Sequence, residues 1–538
     1  MRTREWYHKR STTFTPEEET QLLRLIDEAA ALVDFHPDDL ARLLRRYPRA
    51  DGQFAKDQVV AAYRRFCAEG RLAFDREVMR RLQMKPIRTQ SGVATVTVLT
   101  KPFPCPGECL FCPTDVRMPK SYLHDEPGAA RAEAHGFDPY MTTASRLRAL
   151  ENIGHPTDKV ELLILGGTWS YYPADYQEWF IKRCFEALNG VESETLADAQ
   201  RLNESAARRN VGLVIETRPD YVDAAELARL RRYGVTKVQL GAQSLDDRIL
   251  DLNRRGHTVE QTRQAVRLLR AAGFKLHLHW MPNLLGATPA SDRADYARLW
   301  SDPGLRPDEL KIYPCALVKE AELVQWWERG AYRPYTDDEL VALIADCMAS
   351  TPRYVRLNRV IRDIPANHVV AGSTASNLRE TVERHLRAAG RASPDIRWRE
   401  VRDQKLEIGE LGLKDEHYET SGGREVFLSF DTRSDQLAGF LRLSLPTAAA
   451  AATTGLAELR DCALIREVHV YGPVVGLGAA GQSEAQHTGL GAHLIREAER
   501  RARQAGYSRL AVISAVGTRG YYRKHGFEVG ELYMHKTL

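Results

Sequence analysis

Three cysteines, Cys105, Cys109 and Cys112, stand as C-x-x-x-C-x-x-C in the stretch TKPFPCPGECLFCP, directly after the apolar run VATVTVL. Soft thiolates at this spacing on one loop can hold three corners of an iron–sulfur cube. With three protein ligands, one iron keeps an open position, which S-adenosylmethionine can fill through its amino and carboxylate groups. An electron passed through the cube would then break a C–S bond and release a 5′-deoxyadenosyl radical. A structural zinc is the competing chemistry, but it wants a fourth ligand. His124 and His135 could supply one, and neither has knuckle spacing. Position favours the cube, because the second strand-like run ends in Leu165-Gly166-Gly167-Thr168, where bare glycine backbone can approach a methionine moiety.

A second chemistry-bearing pattern lies near the C-terminus. A strand, REVHVYG (466–472), is followed by QHTGLG (486–491) and the helical AHLIREAERRARQAG. In that order, glycines let successive N–H groups and a helix N-terminus converge on a diphosphate. The strand backbone can pair with a pantetheine amide arm as an added strand would. Tyr521 and Tyr522 follow. The first pattern resembles the radical S-adenosylmethionine superfamily, with Thr168 where that superfamily usually places an acid. The second resembles the acetyl-coenzyme A site of the Gcn5-related N-acetyltransferases (GNAT), where a phenol often sits near the thioester sulfur.

The elements that must position these residues can be read from periodicity. Runs 93–99, 160–165, 212–216, 237–241, 275–280 and 309–313 are β-rich and alternate with amphipathic helical stretches. Six such repeats with right-handed crossovers curl into a partial barrel with its chemistry at the C-terminal strand ends. The expected fold class is therefore α/β; with the two resemblances above it becomes a partial (βα)6 radical SAM barrel followed by a GNAT-type acetyltransferase domain, with a helical basic N-terminal region. The expected domains are 1–85 (helical, basic), 86–320 (barrel), 321–400 (connector with an Arg-rich segment) and 401–538 (acetyltransferase). The alanine tract 448–452 reads as a solvent loop.

The chain has 538 residues, 43% hydrophobic and 28% charged, as a globular protein of several domains would. No stretch approaches a membrane span, the start lacks a secretory h-region, and eight cysteines are too unevenly placed for a disulfide framework. These features place it in the cytoplasm. Net charge is only +4, yet residues 42–101 carry 14 Lys/Arg against five acids. Such a segment would attract a polyanion, nucleic acid first.

The segments MPKSYLHDEPGAARA, GHPTDKVELLILGGTW, IETRPDY, LGAQSLDD, NRRGHT, RVIRDIPAN and YYRKHGF resemble Elongator complex protein 3, from about residue 85 to Leu538. That resemblance implies modification of the wobble uridine of tRNA with acetyl-coenzyme A and S-adenosylmethionine. By matching position, Cys105, Cys109 and Cys112 would ligate a [4Fe-4S] cluster, and Gly166, Gly167 and Thr168 would meet S-adenosylmethionine. Lys159, Glu467, Val468, His469, Val470, Gln486, Gly489, Leu490, Gly491, Ala492 and Tyr522 would line the acetyl-coenzyme A site, with Tyr522 and Tyr521 as the catalytic candidates. The implied reaction makes a radical on the acetyl methyl, adds it to uracil C5, and hydrolyses the thioester to leave a carboxymethyl group. It would require the barrel mouth and the transferase cleft to face each other. Arg353, Arg356, Arg359 and Arg362 are candidates to hold the tRNA anticodon stem-loop. Glu216, Arg218, Gln239, Gln243, His277 and His279 are candidates for the barrel mouth. The alternative is a protein lysine acetyltransferase with a structural cluster. Assembly as a homodimer and the need for accessory subunits stay open.

Overall fold

The computed structural model describes residues 13–49, 52–84, 89, 92–361, 364–375, 377–401, 408–471 and 489–538. The chain divides into two compact units, Met1–Val96 with Ala144–Val160, and Thr97–Thr143 with Glu161–Leu538. In the first unit, helices Pro16–Ala31, Pro37–Arg46, Lys56–Ala68 and Arg76–Leu82 bury one apolar face around Leu22, Ile26, Val59, Tyr63 and Phe66. The first begins where Thr15 and Glu18 form a reciprocal cap and Pro16 takes the first helical position. Many of its arginines are committed: Arg46 to Glu28, Arg49 to Glu18, Arg65 and Arg71 to Glu19, and Arg80 and Arg81 to Glu77. The acids of the first helix thus answer much of the positive charge that follows.

The second unit holds most of the barrel and a further α/β layer. Its barrel strands are β1 (Ala94–Leu99), β2 (Lys159–Leu165), β3 (Arg209–Thr217), β4 (Lys237–Gln243), β5 (Lys275–Trp280) and β6 (Glu309–Ile312). A short β7 (Leu317–Val318) pairs with β9 (Val369–Ala371), and between them β8 (Arg356–Arg359) pairs parallel to β6. The sheet order is β1-β2-β3-β4-β5-β6-β8. The six expected strands are all present, and a seventh comes from the segment read as connector. Alternation fixes the faces: Val238, Leu240, Leu276, Leu278, Leu310 and Ile312 are buried on one side, while Lys237, Gln239, Lys275, His277, His279, Glu309 and Lys311 line the other.

Beyond it, β10 (Gly412–Thr420), β11 (Gly423–Asp431), β12 (Leu437–Pro446), β13 (Cys462–Val470), β14 (Arg509–Val512), β15 (Glu528–Val529) and β16 (Met534–Thr537) form one mixed sheet, order β10-β11-β12-β13-β14-β16-β15. The alanine tract is not a solvent loop. Thr447 caps a helix, Ala448–Thr453, and Ala450 and Ala451 are buried. Alanine has the highest helix propensity and no side chain to obstruct packing. No helix among the described residues is long and apolar enough to cross a membrane.

Candidate active site

The cysteine loop is pinned along its length. Leu110 sits in an apolar cluster with Leu284, Leu285 and Leu323. Its N–H donates to the Asn253 carbonyl (3.2 Å) and its own carbonyl accepts from Leu323 N–H (2.9 Å). Cys112 N–H closes a turn on the Cys109 carbonyl (3.1 Å). Two guanidiniums approach the thiols. Arg255 donates from Nη1 to Cys109 Sγ (3.5 Å) and from Nη2 to the Gly241 carbonyl (2.7 Å). Arg218 forks onto Asp220 with two 2.9 Å bonds, and a Cβ added at Gly107 would lie 2.3 Å from its Nη1. His257 is buried beside them, its pKa driven to about 2 by burial and the two arginines. No three His, Cys, Asp or Glu side chains among the described residues converge on a single metal ion. Three thiols on one loop with cations close by suit a polynuclear, anionic iron–sulfur group better than a mononuclear zinc.

The Gly-Gly corner beside it has two distinct jobs. Gly166 has φ of 131°, and a Cβ there would lie 2.0 Å from Thr100 Oγ1. Its carbonyl accepts from the Thr100 and Tyr172 hydroxyls (3.0 and 2.9 Å). Gly167, at φ 81°, has open space where a Cβ would be, so its backbone stands accessible. Thr168 Oγ1 lies 3.8 Å from Cys105 Sγ. Gly166→Ala should therefore destabilise the fold by about 1–3 kcal/mol, read as a lowered melting temperature, and more than Gly167→Ala, which meets the backbone strain of a positive φ but no steric clash.

The inward barrel face is polar in successive layers. At the base, Lys237 Nζ meets Glu161 (2.8 Å) and Glu309 (3.3 Å), and Lys275 Nζ meets Glu309 (2.5 Å). Next come His277, with Nδ1 3.2 Å from Glu309, and Lys311, which donates to Gln239 Oε1 (2.5 Å). His279 then bonds Gln239 (2.9 Å), with Glu216 3.6 Å away. Burial outweighs the Glu309 carboxylate and lowers the His277 pKa to about 3, so this imidazole is neutral. The two histidines share one face, their ring centroids 5.6 Å apart. Of the mouth candidates, Glu216 and His279 lie near the C-terminal strand ends, while His277 and Gln239 lie deeper.

The transferase sheet docks at the opposite end of the barrel from the cysteines. Arg466 is an extra residue in β13, since Arg442 opposes Glu467 while Leu443 opposes Ile465. A bulge lets neighbouring side chains leave on one face. Arg466 therefore reaches Asp308 with two 2.7 Å bonds, and Glu467 accepts from Lys275 (2.5 Å). Both partners are at the N-terminal ends of barrel strands. The expectation that mouth and cleft face each other is thus corrected: β13 abuts the barrel base. Arg353 pairs with Asp431 and Asp435, and Arg356 with Glu400 and the Tyr471 hydroxyl. These two arginines tie the barrel sheet to the transferase sheet, and are not offered to RNA. Arg362 lies outside the described residues.

Within the transferase layer, β14 pairs with β13 only over Cys462–Ile465. Glu467–Val470 then run on with β12 on one side and, among the described residues, no strand on the other. This V-shaped opening suits a strand-like amide arm. Gly489, at φ 78°, opens the helix Leu490–Gln504. A Cβ on Gly491 would lie 2.6 Å from Tyr521 Oη, so this glycine admits the phenol. Tyr521 is 41% exposed, while Tyr522 is buried between Tyr521 and Phe527, and burial pushes its phenol well above the usual range. His469 stacks against Phe440 and Tyr471, its pKa lowered to about 4 by burial. Lys159 belongs to the first unit and is half-buried, which lowers its pKa. Gln486 lies outside the described residues.

Three family models match the chain in succession. The Radical SAM superfamily model matches residues 104–293, the Radical_SAM C-terminal domain 307–388, and the Acetyltransferase (GNAT) family 397–527. The tRNA uridine(34) acetyltransferase of Dehalococcoides mccartyi is 46% identical over 455 residues, covering 84% of this chain and 99% of that protein. Elongator complex protein 3 of Homo sapiens is 36% identical over 479 residues, covering 86% and 87%. The chain belongs to the Elongator complex protein 3 family. A solved structure of archaeal Methanocaldococcus infernus Elp3 lacking its N-terminus superposes with a TM-score of 0.72 at 37% identity, covering 83% of this chain and 100% of that one. In Elongator complex protein 3 terms this is a radical SAM enzyme joined to an acetyltransferase, and the seventh strand falls within the C-terminal domain match. Sequence reasoning missed Arg255 and the charged base layer. Lysines and glutamates opening β4, β5 and β6 were the available signal, because a charge at an inward position of a barrel strand needs a buried partner.

Proposed function

We propose that this enzyme modifies the wobble uridine of tRNA, attaching an acetyl-derived carboxymethyl group to C5 of the base. Support comes from the names of its relatives and, above all, from one observation: a cysteine loop fit for a cluster and a strand opened for a thioester arm occupy opposite ends of one polar barrel. When bound, the cluster with S-adenosylmethionine would supply an adenosyl radical, and acetyl-coenzyme A the acyl group. Cys105, Cys109 and Cys112 hold the iron, while Arg255 and Arg218 offset thiolate charge. Gly167 offers its backbone to the methionine moiety, with Thr168 beside Cys105. Glu467–Val470 and the N-terminus of Leu490–Gln504 hold the arm and diphosphate, and Tyr522 orients the thioester. The uracil must be splayed from the anticodon stack, at a cost of about a few kcal/mol. Arg42, Arg46 and Arg80 remain well exposed in spite of their ion pairs and can follow the tRNA backbone in the cytoplasm.

The test is anaerobic reconstitution with iron and sulfide, then incubation with unmodified tRNA, both small molecules and a reductant. Nucleoside mass spectrometry should detect 5-carboxymethyluridine only when all are present. Unaltered tRNA alongside acetylated protein lysines would overturn the proposal in favour of a protein acetyltransferase.

A further inference from the structure

Strand β5 runs out into Met281-Pro282-Asn283-Leu284, and the chain turns at the third of these. Asn283 has left-handed backbone, φ 65°, which asparagine tolerates better than most residues. Two bonds hold it there. Its N–H donates to Asp292 Oδ2 (2.8 Å), and its carbonyl accepts from the Tyr332 hydroxyl (2.9 Å). Asp292 is fixed in turn by the Tyr335 hydroxyl (2.8 Å). Asn283 is only 5% exposed, yet its side-chain carboxamide has no hydrogen-bond partner among the described residues. Leaving a buried polar group unpaired costs about 1–3 kcal/mol, which a ligand can recover. The residue lines a cavity of about 300 Å³, whose wall includes Pro314, Pro334, Ile361, Ile364 and Pro365.

Apolar walls with a single well-held polar group suit a flat ligand that is apolar on its faces and polar on its edge. A carboxamide carries an acceptor and donors side by side, and the edge of a nucleobase presents their complement. Beside the cavity stands a cation. Lys319 donates its N–H to the His368 carbonyl (2.9 Å), one residue from Val369 of the wall. Its side chain is 54% exposed and pairs only loosely with Glu320 (3.7 Å). Apolar within and cationic outside is the complement of a nucleotide with its base inserted and its phosphate in solvent. None of Cys105, Cys109, Cys112, Gly166 and Gly167 lines this cavity, and Cys315 of its wall belongs to the apolar cluster that holds Leu110. The base it takes is therefore not the one that meets the radical. We propose that the cavity receives one base of the tRNA anticodon loop, a neighbour of the wobble uridine, with Asn283 reading its edge. This rests on the functional reading above. Single-stranded loops are where RNA offers unstacked bases to a protein, and seating a neighbour would help to hold the reacting uridine splayed.

The test measures binding of the reconstituted full chain to a set of unmodified tRNAs, each with one anticodon-loop base removed so that sugar and phosphate remain. For the unaltered protein, affinity should fall by about tenfold at one position other than the wobble position. Asn283→Asp keeps the size and the left-handed tolerance of asparagine but loses the donor. It should bind intact tRNA about tenfold more weakly and lose nothing further when that same base is removed. Ala375→Phe fills the cavity from another wall, leaves Asn283 in place and should behave alike. Affinity for S-adenosylmethionine should change less than about twofold in both variants. Equal tRNA affinity in the parent and both variants overturns the base pocket. Weakened S-adenosylmethionine binding with tRNA affinity kept would give the cavity to the adenine of that cofactor. A penalty shared with the wobble position alone would give it to the reacting uridine, and either result overturns the proposal. Failure of the unaltered protein to bind any of the tRNAs defeats the functional reading itself, and the pocket with it.

Discussion

Replacing Cys109 by alanine is expected to abolish reductive cleavage of S-adenosylmethionine and tRNA modification together. Outer partners of a metal site typically change activity by 10–100-fold, and loss of a ligand should cost about a thousandfold or more. The reason is local. Cys109 is the buried member of the three and is approached by Arg255. On the proposed reading, removing its thiolate would take away one of the three protein ligands of the cluster and leave the Arg255 guanidinium without the thiolate it meets. Iron content, the visible absorption of the reconstituted protein and 5′-deoxyadenosine release should all fall, while the melting temperature stays close to the starting value, because the loop is held by Leu110. Full deoxyadenosine release by this variant would sink the assignment of the loop.

Asp308→Ala should be the most destabilising single change in the second unit, by about 3–5 kcal/mol. Asp308 is fully buried at the barrel base, bonded by Arg466 and approached by Arg442 (3.5 Å) and Arg270 (4.0 Å). Burial by itself would raise its pKa, but the arginines prevail and hold it well below the ordinary 3.8. Because the folded value is depressed, the stabilisation is fully present above pH 3.8 and is lost as pH falls toward the folded value. The gap between variant and parent in chemical denaturation should thus be widest at neutral pH and close in acid. An unchanged denaturation midpoint at pH 7 would show that the barrel and transferase sheets do not depend on this cluster.

The barrel strands could be read from the chain before any fold was known, because alternation is local information. The proposal for Cys105, Cys109 and Cys112 likewise rests on local spacing, and the structure places all three on the loop after β1. The seventh strand could not be read that way. Arg356–Arg359 is four residues of RLNR, with no apolar alternation, and it is a strand only because β6 offers an edge. Arg353 and Arg356 look like an RNA-binding stripe until Asp431, Asp435 and Glu400, distant in sequence, come alongside. The end of the barrel that meets the transferase was equally hidden, since it depends on one extra residue in β13. The helix over Ala448–Thr453 needed only Thr447 as its cap and a surface to bury Ala450 and Ala451.

That extra residue at Arg466 bears on how such an enzyme can be recombined. With strict alternation, only one of Arg466 and Glu467 could address the barrel, and the other would point into the transferase sheet. A foreign acetyltransferase grafted in its place would have to bring the same one-residue irregularity, or dock with a stranded aspartate or lysine. Deleting Arg466 would straighten the strand and leave the later pairings in place, because Ile465 already opposes Leu443 and Glu467 opposes Arg442, so what is lost is the bond to Asp308 at the barrel base. The two catalytic modules are therefore not interchangeable cassettes, and inheritance must keep them as a matched pair.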